Sequence, residues 1–114
     1  FMDGGQWRKK GDQEEFVVVA PTGLARQLDR RANILTNPHV WNSGQFDEDD
    51  SARLKVDDVA YLTRLLDELE PRLKFDRERV YGVGHSNGGG MTYRLAAERS
   101  EIFRAIATVA GVIA

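Results

Sequence analysis

The chain is predicted to be an α/β protein organised around parallel strands, and three observations carry that expectation. Three short apolar runs, at residues 16–20 (FVVVA), 80–83 (VYGV) and 103–109 (FRAIATV), have strand length and are rich in β-branched or aromatic residues. Two stretches between them repeat apolar residues at helical spacing. The resulting order of strand, helix, strand, helix, strand requires right-handed crossovers and a mostly parallel sheet with helices flanking it.

At 114 residues there is room for one small domain, and 41% hydrophobic with 30% charged residues is the balance of a soluble globular chain. A net charge of −2, with 16 scattered Lys and Arg, offers no basic surface for nucleic acid or for an anionic membrane. No apolar run approaches the ~20 residues of a membrane-spanning helix. The absence of cysteine excludes disulfides and thiolate metal sites and leaves the redox compartment open. The chain starts at Phe1, with nothing there resembling a signal peptide.

Taken in order, residues 1–15 are polar and glycine-bearing, with a basic clump at Arg8, Lys9 and Lys10, and suit either a short helix or a loop. Residues 16–20 are continuously apolar until Pro21, the pattern of a strand buried on both faces. Leu24, Leu28 and Leu35 suggest a short helix over residues 24–32, and Asn37-Pro38 and Asn42-Ser43-Gly44 are turn signals. The acidic run at residues 46–51 lacks the alternating spacing and the glycine of a calcium loop, so it reads as a solvated turn before a helix N-terminus. Val59, Leu62, Leu66 and Leu69 then fall on one helical face within residues 55–70, with Asp57, Arg64 and Glu68 opposite and Pro71 as the stop. A charged connection leads to the strand at residues 80–83, a helix over residues 87–98 marked by Met91 and Leu95, and a last strand ended by Gly111.

The chemistry is expected at the junction of the second strand and the second helix. Gly84-His85-Ser86-Asn87-Gly88 is a G-x-S-x-G step placed directly between them, the layout of the nucleophile elbow of α/β-hydrolases. Gly89 and Gly90 extend the glycine run into the helix, where each costs roughly 1 kcal/mol relative to alanine. Such a run makes sense where backbone passes close to backbone, and side chains at Gly84 and Gly88 are expected to collide with neighbouring elements. Ser86 would be the nucleophile, with the Asn87 backbone N–H donating to the oxyanion and the helix N-terminus adding to that stabilisation. Three other readings use the same residues. Ser86 could serve only as a helix cap. The elbow geometry could belong to a non-catalytic binding module. Gly82, Gly84 and Gly88 also approximate a dinucleotide fingerprint, but the following strand ends in Thr108-Val109-Ala110-Gly111 without the acid that would bind ribose.

His85 adjoins the nucleophile and points away from where a general base must sit, so it is placed with Trp41 among pocket-lining or packing residues. His39 lies before the elbow, the wrong half of the chain for the usual order of serine, acid, histidine.

Val56-Asp57-Asp58-Val59-Ala60-Tyr61-Leu62, Arg79-Val80-Tyr81, Gly84-His85-Ser86-Asn87-Gly88-Gly89 with Met91, and the final strand ending in Val109-Ala110-Gly111 resemble polyhydroxybutyrate depolymerase-like esterases, among them feruloyl and acetylxylan esterases. Residues 16–21 and Trp41-Asn42 are similar to the family's earlier strand and its Trp-Asn loop; the likeness is weakest over residues 22–40. The resemblance implies hydrolysis of carboxylic esters of polyester or plant cell-wall type through an acyl-enzyme on Ser86. It also implies no cofactor, no metal and an extracellular or periplasmic location.

Measured against that family, the chain is expected to be the central part of the domain. It lacks the upstream His-Gly oxyanion motif, and the residues after Ser86 contain no Asp and no His, only Glu98 and Glu101. A serine hydroxyl without a base is a poor nucleophile near neutral pH, so negligible turnover is expected of residues 1–114 alone. A sheet edge left unpaired after the third strand would invite association.

Overall fold

The structure, a computed structural model, describes residues 6–45 and 55–113. The expected acidic turn at residues 46–51 lies outside them. Helix α1 spans Trp7–Glu14, strands β1 (Leu24–Ala25) and β2 (His39–Val40) follow, and helix α2 spans Asp58–Leu73. A single 3-10 turn at Arg77–Arg79 then leads to strand β3 (Tyr81–His85), helix α3 (Asn87–Glu98) and strand β4 (Ala105–Val109).

The β3–α3–β4 unit is the heart of the fold. β3 and β4 pair in parallel, with Tyr81 opposite Ala105 and His85 opposite Val109. Alternation along the two strands puts Gly82, Gly84, Ile106 and Thr108 on the face that meets α3. Tyr81, Val83, His85, Ala105, Ala107 and Val109 are exposed on the other face. The two sheets are separate two-stranded pairs, β1–β2 antiparallel and β3–β4 parallel, so the expected larger parallel sheet is not found among the described residues.

Helix α2 begins where Asp57 accepts a hydrogen bond from the Ala60 N–H at 2.9 Å, with Asp58 in the first turn facing the positive helix end. It buries Val59, which is 2% exposed, and half-buries Leu62, Leu66 and Leu69, the face the spacing predicts. Pro71 does not stop it. The proline sits in the last turn, where it removes one backbone bond. The helix ends instead at Lys74, whose left-handed backbone (φ 51°) lets its N–H reach the Glu70 carbonyl at 2.7 Å. Val59 joins Met91 and Leu95 of α3 in a small core flanked by Trp41, Leu62 and Phe103.

Two expectations fail in the first third of the chain. Residues 16–20 form no strand, and Phe16, Val17 and Val19 are exposed. A strand exists by pairing, and no strand among the described residues offers these five a ladder. Residues 24–32 form no helix; the region is a hairpin-like loop between β1 and β2. Its leucines find no core, with Ile34 and Leu35 88% and 89% exposed. Its organiser is Asn37, 1% exposed, whose Oδ1 accepts the Gln27 N–H at 2.7 Å while Nδ2 donates to the carbonyls of Gln27, Arg30 and Arg31. One buried amide thus satisfies four loop groups that a helix would otherwise have paired.

Candidate active site

Ser86 stands between the end of β3 and the start of α3 with φ 53° and ψ −119°. For a residue with a Cβ this is a strained conformation, costing of order 1–3 kcal/mol. The surrounding backbone imposes it: the Ser86 N–H donates to the Val109 carbonyl at 2.8 Å, and its carbonyl accepts the Gly90 N–H at 3.1 Å. Its side chain is exposed and makes no capping hydrogen bond. A serine that merely capped the helix would turn its oxygen onto an N–H of the first turn; Ser86 leaves its hydroxyl free instead. The Asn87 N–H, at the first helical position, likewise makes no hydrogen bond among the described residues.

Space explains Gly84. A Cβ there would lie 2.1 Å from the Gly88 carbonyl oxygen and 2.4 Å from Thr92 Oγ1. The helix therefore rests directly on the strand backbone, with the Thr92 hydroxyl, which donates to the Gly88 carbonyl one turn back at 2.7 Å, filling the rest of the gap. Glycine at 84 accommodates this approach of helix to strand. Gly89 faces a second close approach, with a Cβ 2.8 Å from the Gly111 Cα just beyond β4. The expected collision at Gly88 is not found: a Cβ there meets only Trp41 Cδ1, at 4.0 Å. The Gly88 carbonyl faces β3 but a Cβ on Gly88 would point away from it, so of the three elbow glycines the packing demands 84 and 89.

The remaining candidates fall in different places. His85 is exposed on the sheet face opposite α3. His39 Nδ1–H donates to the Gly23 carbonyl at 2.7 Å, holding β1 to β2, and is occupied there. Glu98 is paired with Arg94 at 2.7 Å at the far end of α3, about 16 Å along the helix from Asn87. Glu101 is exposed beyond that helix. No acid–histidine pair stands beside Ser86 among the described residues.

Trp41 comes to the elbow through its peptide. Asn87 Oδ1 accepts the Trp41 N–H at 2.7 Å and Asn87 Nδ2 donates to the Trp41 carbonyl at 3.0 Å. The Trp41 ring stacks on Tyr61 at 6.3 Å between centroids and packs against the α2–α3 core. Sequence reasoning missed this junction. Residues 41 and 87 are 46 positions apart, and nothing in the local pattern of either signals the other.

Ser86 thus combines a strained strand-to-helix turn, an unbonded hydroxyl and, beside it, an unbonded N–H, and comparison with known proteins places the chain in a family. The family model of the prolyl oligopeptidase family matches residues 41–114, from Trp41 through the elbow and β4. The chain belongs to the prolyl oligopeptidase family, an α/β-hydrolase family. It is 36% identical over 87 residues to a probable feruloyl esterase C of Aspergillus niger, covering 74% of this chain and 30% of that protein. It is 43% identical over 54 residues to the putative esterase NocK of Nocardia uniformis, covering 47% of this chain and 16% of the relative. A probable chloroplastic glutamyl endopeptidase of Arabidopsis thaliana is 31% identical over 94 residues, 82% of this chain and 10% of that protein. The chain thus spans under a third of the length of these curated relatives. No solved structure matches it.

Proposed function

We propose that this chain carries the nucleophile of a serine hydrolase that cleaves carboxylic esters through an acyl-enzyme on Ser86. The observation that supports this most is Ser86 itself: a residue held at φ 53° with its hydroxyl withheld from the helix it precedes. Strain without a capping bond has no structural benefit, whereas an elbow that lifts a hydroxyl clear of the sheet makes it available for attack.

In this reading Ser86 Oγ attacks the ester carbonyl, the proton passes to a general base, and the tetrahedral oxygen accepts a hydrogen bond from the Asn87 N–H. The positive end of α3 stabilises the same charge. Collapse expels the alcohol and leaves the acyl group on Ser86, which water then releases. The base is a histidine outside residues 1–114, since His39 is committed to Gly23 and His85 lies next to the nucleophile on the exposed sheet face. The feruloyl esterase relatives favour an ester of an aromatic or plant cell-wall acid, and the resemblance to exported esterases favours a location outside the cytoplasm. Trp41 and His85 are the candidates to border the acyl group.

A second reading, peptide-bond hydrolysis, draws on the likeness to the glutamyl endopeptidase and uses the same elbow. Assay of the intact protein containing residues 1–114 against an activated acyl ester and against matched peptide amides separates the two. Ser86→Ala is expected to abolish ester turnover and labelling by a serine-directed phosphonate. Full ester activity in that variant would end the assignment.

A further inference from the structure

Asn87 has two separable parts: a backbone N–H with no partner, and a carboxamide with both ends engaged. Oδ1 and Nδ2 bond the N–H and the carbonyl of a single residue, Trp41, at 2.7 Å and 3.0 Å. The side chain thereby imitates a strand pairing with the Trp41 backbone. That segment is itself immobilised. The Asn42 N–H donates to the buried Asp58 carboxylate at 2.6 Å, and the Asn42 carbonyl accepts from Arg94 Nη1 at 2.7 Å. All four backbone polar groups of Trp41 and Asn42 are therefore bonded, two of them by Asn87. The Trp41 ring is braced in turn by Tyr61 and the core.

An asparagine side chain has two rotatable torsions, and two hydrogen bonds to one anchored peptide fix both. A residue so held cannot swing its own backbone, and the Ser86–Asn87 peptide sits where the helix has no acceptor to align its N–H. Donors that stabilise a developing oxyanion work because they are oriented before the charge forms.

We propose that the Asn87 carboxamide is a positioning residue, which clamps the Trp41 peptide and so holds the Asn87 N–H and residues 41–43 in register with the nucleophile. This rests on the reading of Ser86 as the nucleophile. Apart from the clamp, the two segments are joined by the Arg94–Asn42 bond and by the core, so its loss leaves those contacts in place while freeing the elbow.

The test uses the intact protein containing residues 1–114, with p-nitrophenyl acetate as substrate and four variants. Asn87→Ala keeps the backbone N–H and removes the clamp; kcat is expected to fall at least tenfold with KM within about twofold, because an oxyanion donor acts chiefly in the transition state. Asn87→Asp, of the same size, keeps the acceptor but turns an oxygen towards the Trp41 carbonyl, and is expected to lose kcat likewise. Val59→Ala loosens the core on which the Trp41 ring packs but removes neither hydrogen bond of the clamp, and is expected to keep kcat within twofold. Amide exchange at Trp41 is expected to accelerate in Asn87→Ala, which loses the acceptor of the Trp41 N–H, and not in Val59→Ala. Wild-type kcat in both Asn87 variants, or an equal loss in Val59→Ala, overturns the proposal. Activity surviving Ser86→Ala overturns the nucleophile and the clamp's catalytic role together, while unchanged Trp41 exchange in Asn87→Ala overturns the clamp alone.

Discussion

Alanine at Gly84 and alanine at Gly88 add the same methyl group four residues apart, yet the packing gives them opposite consequences. At Gly84 the new Cβ would sit 2.1 Å from the Gly88 oxygen, 2.4 Å from the Gly88 carbonyl carbon and 2.4 Å from Thr92 Oγ1. Real contacts of this kind stay above 3.0 Å, so helix and strand must separate by at least 0.9 Å (3.0 − 2.1). Two of the three obstacles are backbone, and the third is the hydroxyl that bonds the same carbonyl. Overpacking typically costs 1–3 kcal/mol; with no flexible atom to yield, the loss is expected at or above the upper end, about 3 kcal/mol. At roughly 4 °C or more per kcal/mol for a domain near this size, the melting temperature falls by about 12 °C or more.

At Gly88 the same methyl meets only the Trp41 ring, at 4.0 Å, in a helix where alanine is favoured by up to about 1 kcal/mol. Gly88→Ala is therefore expected to match or exceed the parent. Thermal and urea unfolding followed by circular dichroism measure both. Destabilisation by Gly88→Ala equal to that of Gly84→Ala, or a Gly84→Ala protein within 1 kcal/mol of the parent, would refute the assignment of the helix–strand contact.

Two further outcomes follow from the residues around the elbow. Ala110 holds φ 52° between β4 and the Gly89–Gly111 contact, so Ala110→Gly is expected to be neutral or to stabilise by up to about 1 kcal/mol, against the usual penalty for glycine. A clear loss of stability on urea unfolding would contradict that. Asp58→Ala strands the Asn42 N–H, now bonded at 2.6 Å, and is expected to cost about 1–3 kcal/mol with faster hydrogen exchange at Asn42. Unchanged exchange there would show that the carboxylate does not hold the loop.

The elbow and its flanks were legible because their signals are local. The apolar run before Gly84, the glycine–serine spacing and the 3.6-residue repeat of Met91 and Leu95 lie within 30 residues of one another, and β3, α3 and β4 form where they point. The face of α2 was legible for the same reason, although Pro71 misled on its end because a proline in a last turn removes too little to break a helix. Residues 16–20 misled in the other direction. Their composition favours a strand, but composition cannot supply the neighbour that a strand must pair with. The loop between β1 and β2 was illegible because one buried asparagine, Asn37, organises it from its far end.

Sequence alone was enough to establish an α/β chain with a serine at a strand-to-helix turn, since periodicity and glycine spacing record what neighbouring residues do to one another. Only the folded chain decided which glycines the turn needs, that Ser86 does not cap its helix, and that Asn87 grips Trp41 from 46 residues away. Those are properties of backbones brought together across the chain. A close approach or a bidentate clamp leaves no periodic trace, because its two halves are written far apart and each is ordinary where it stands.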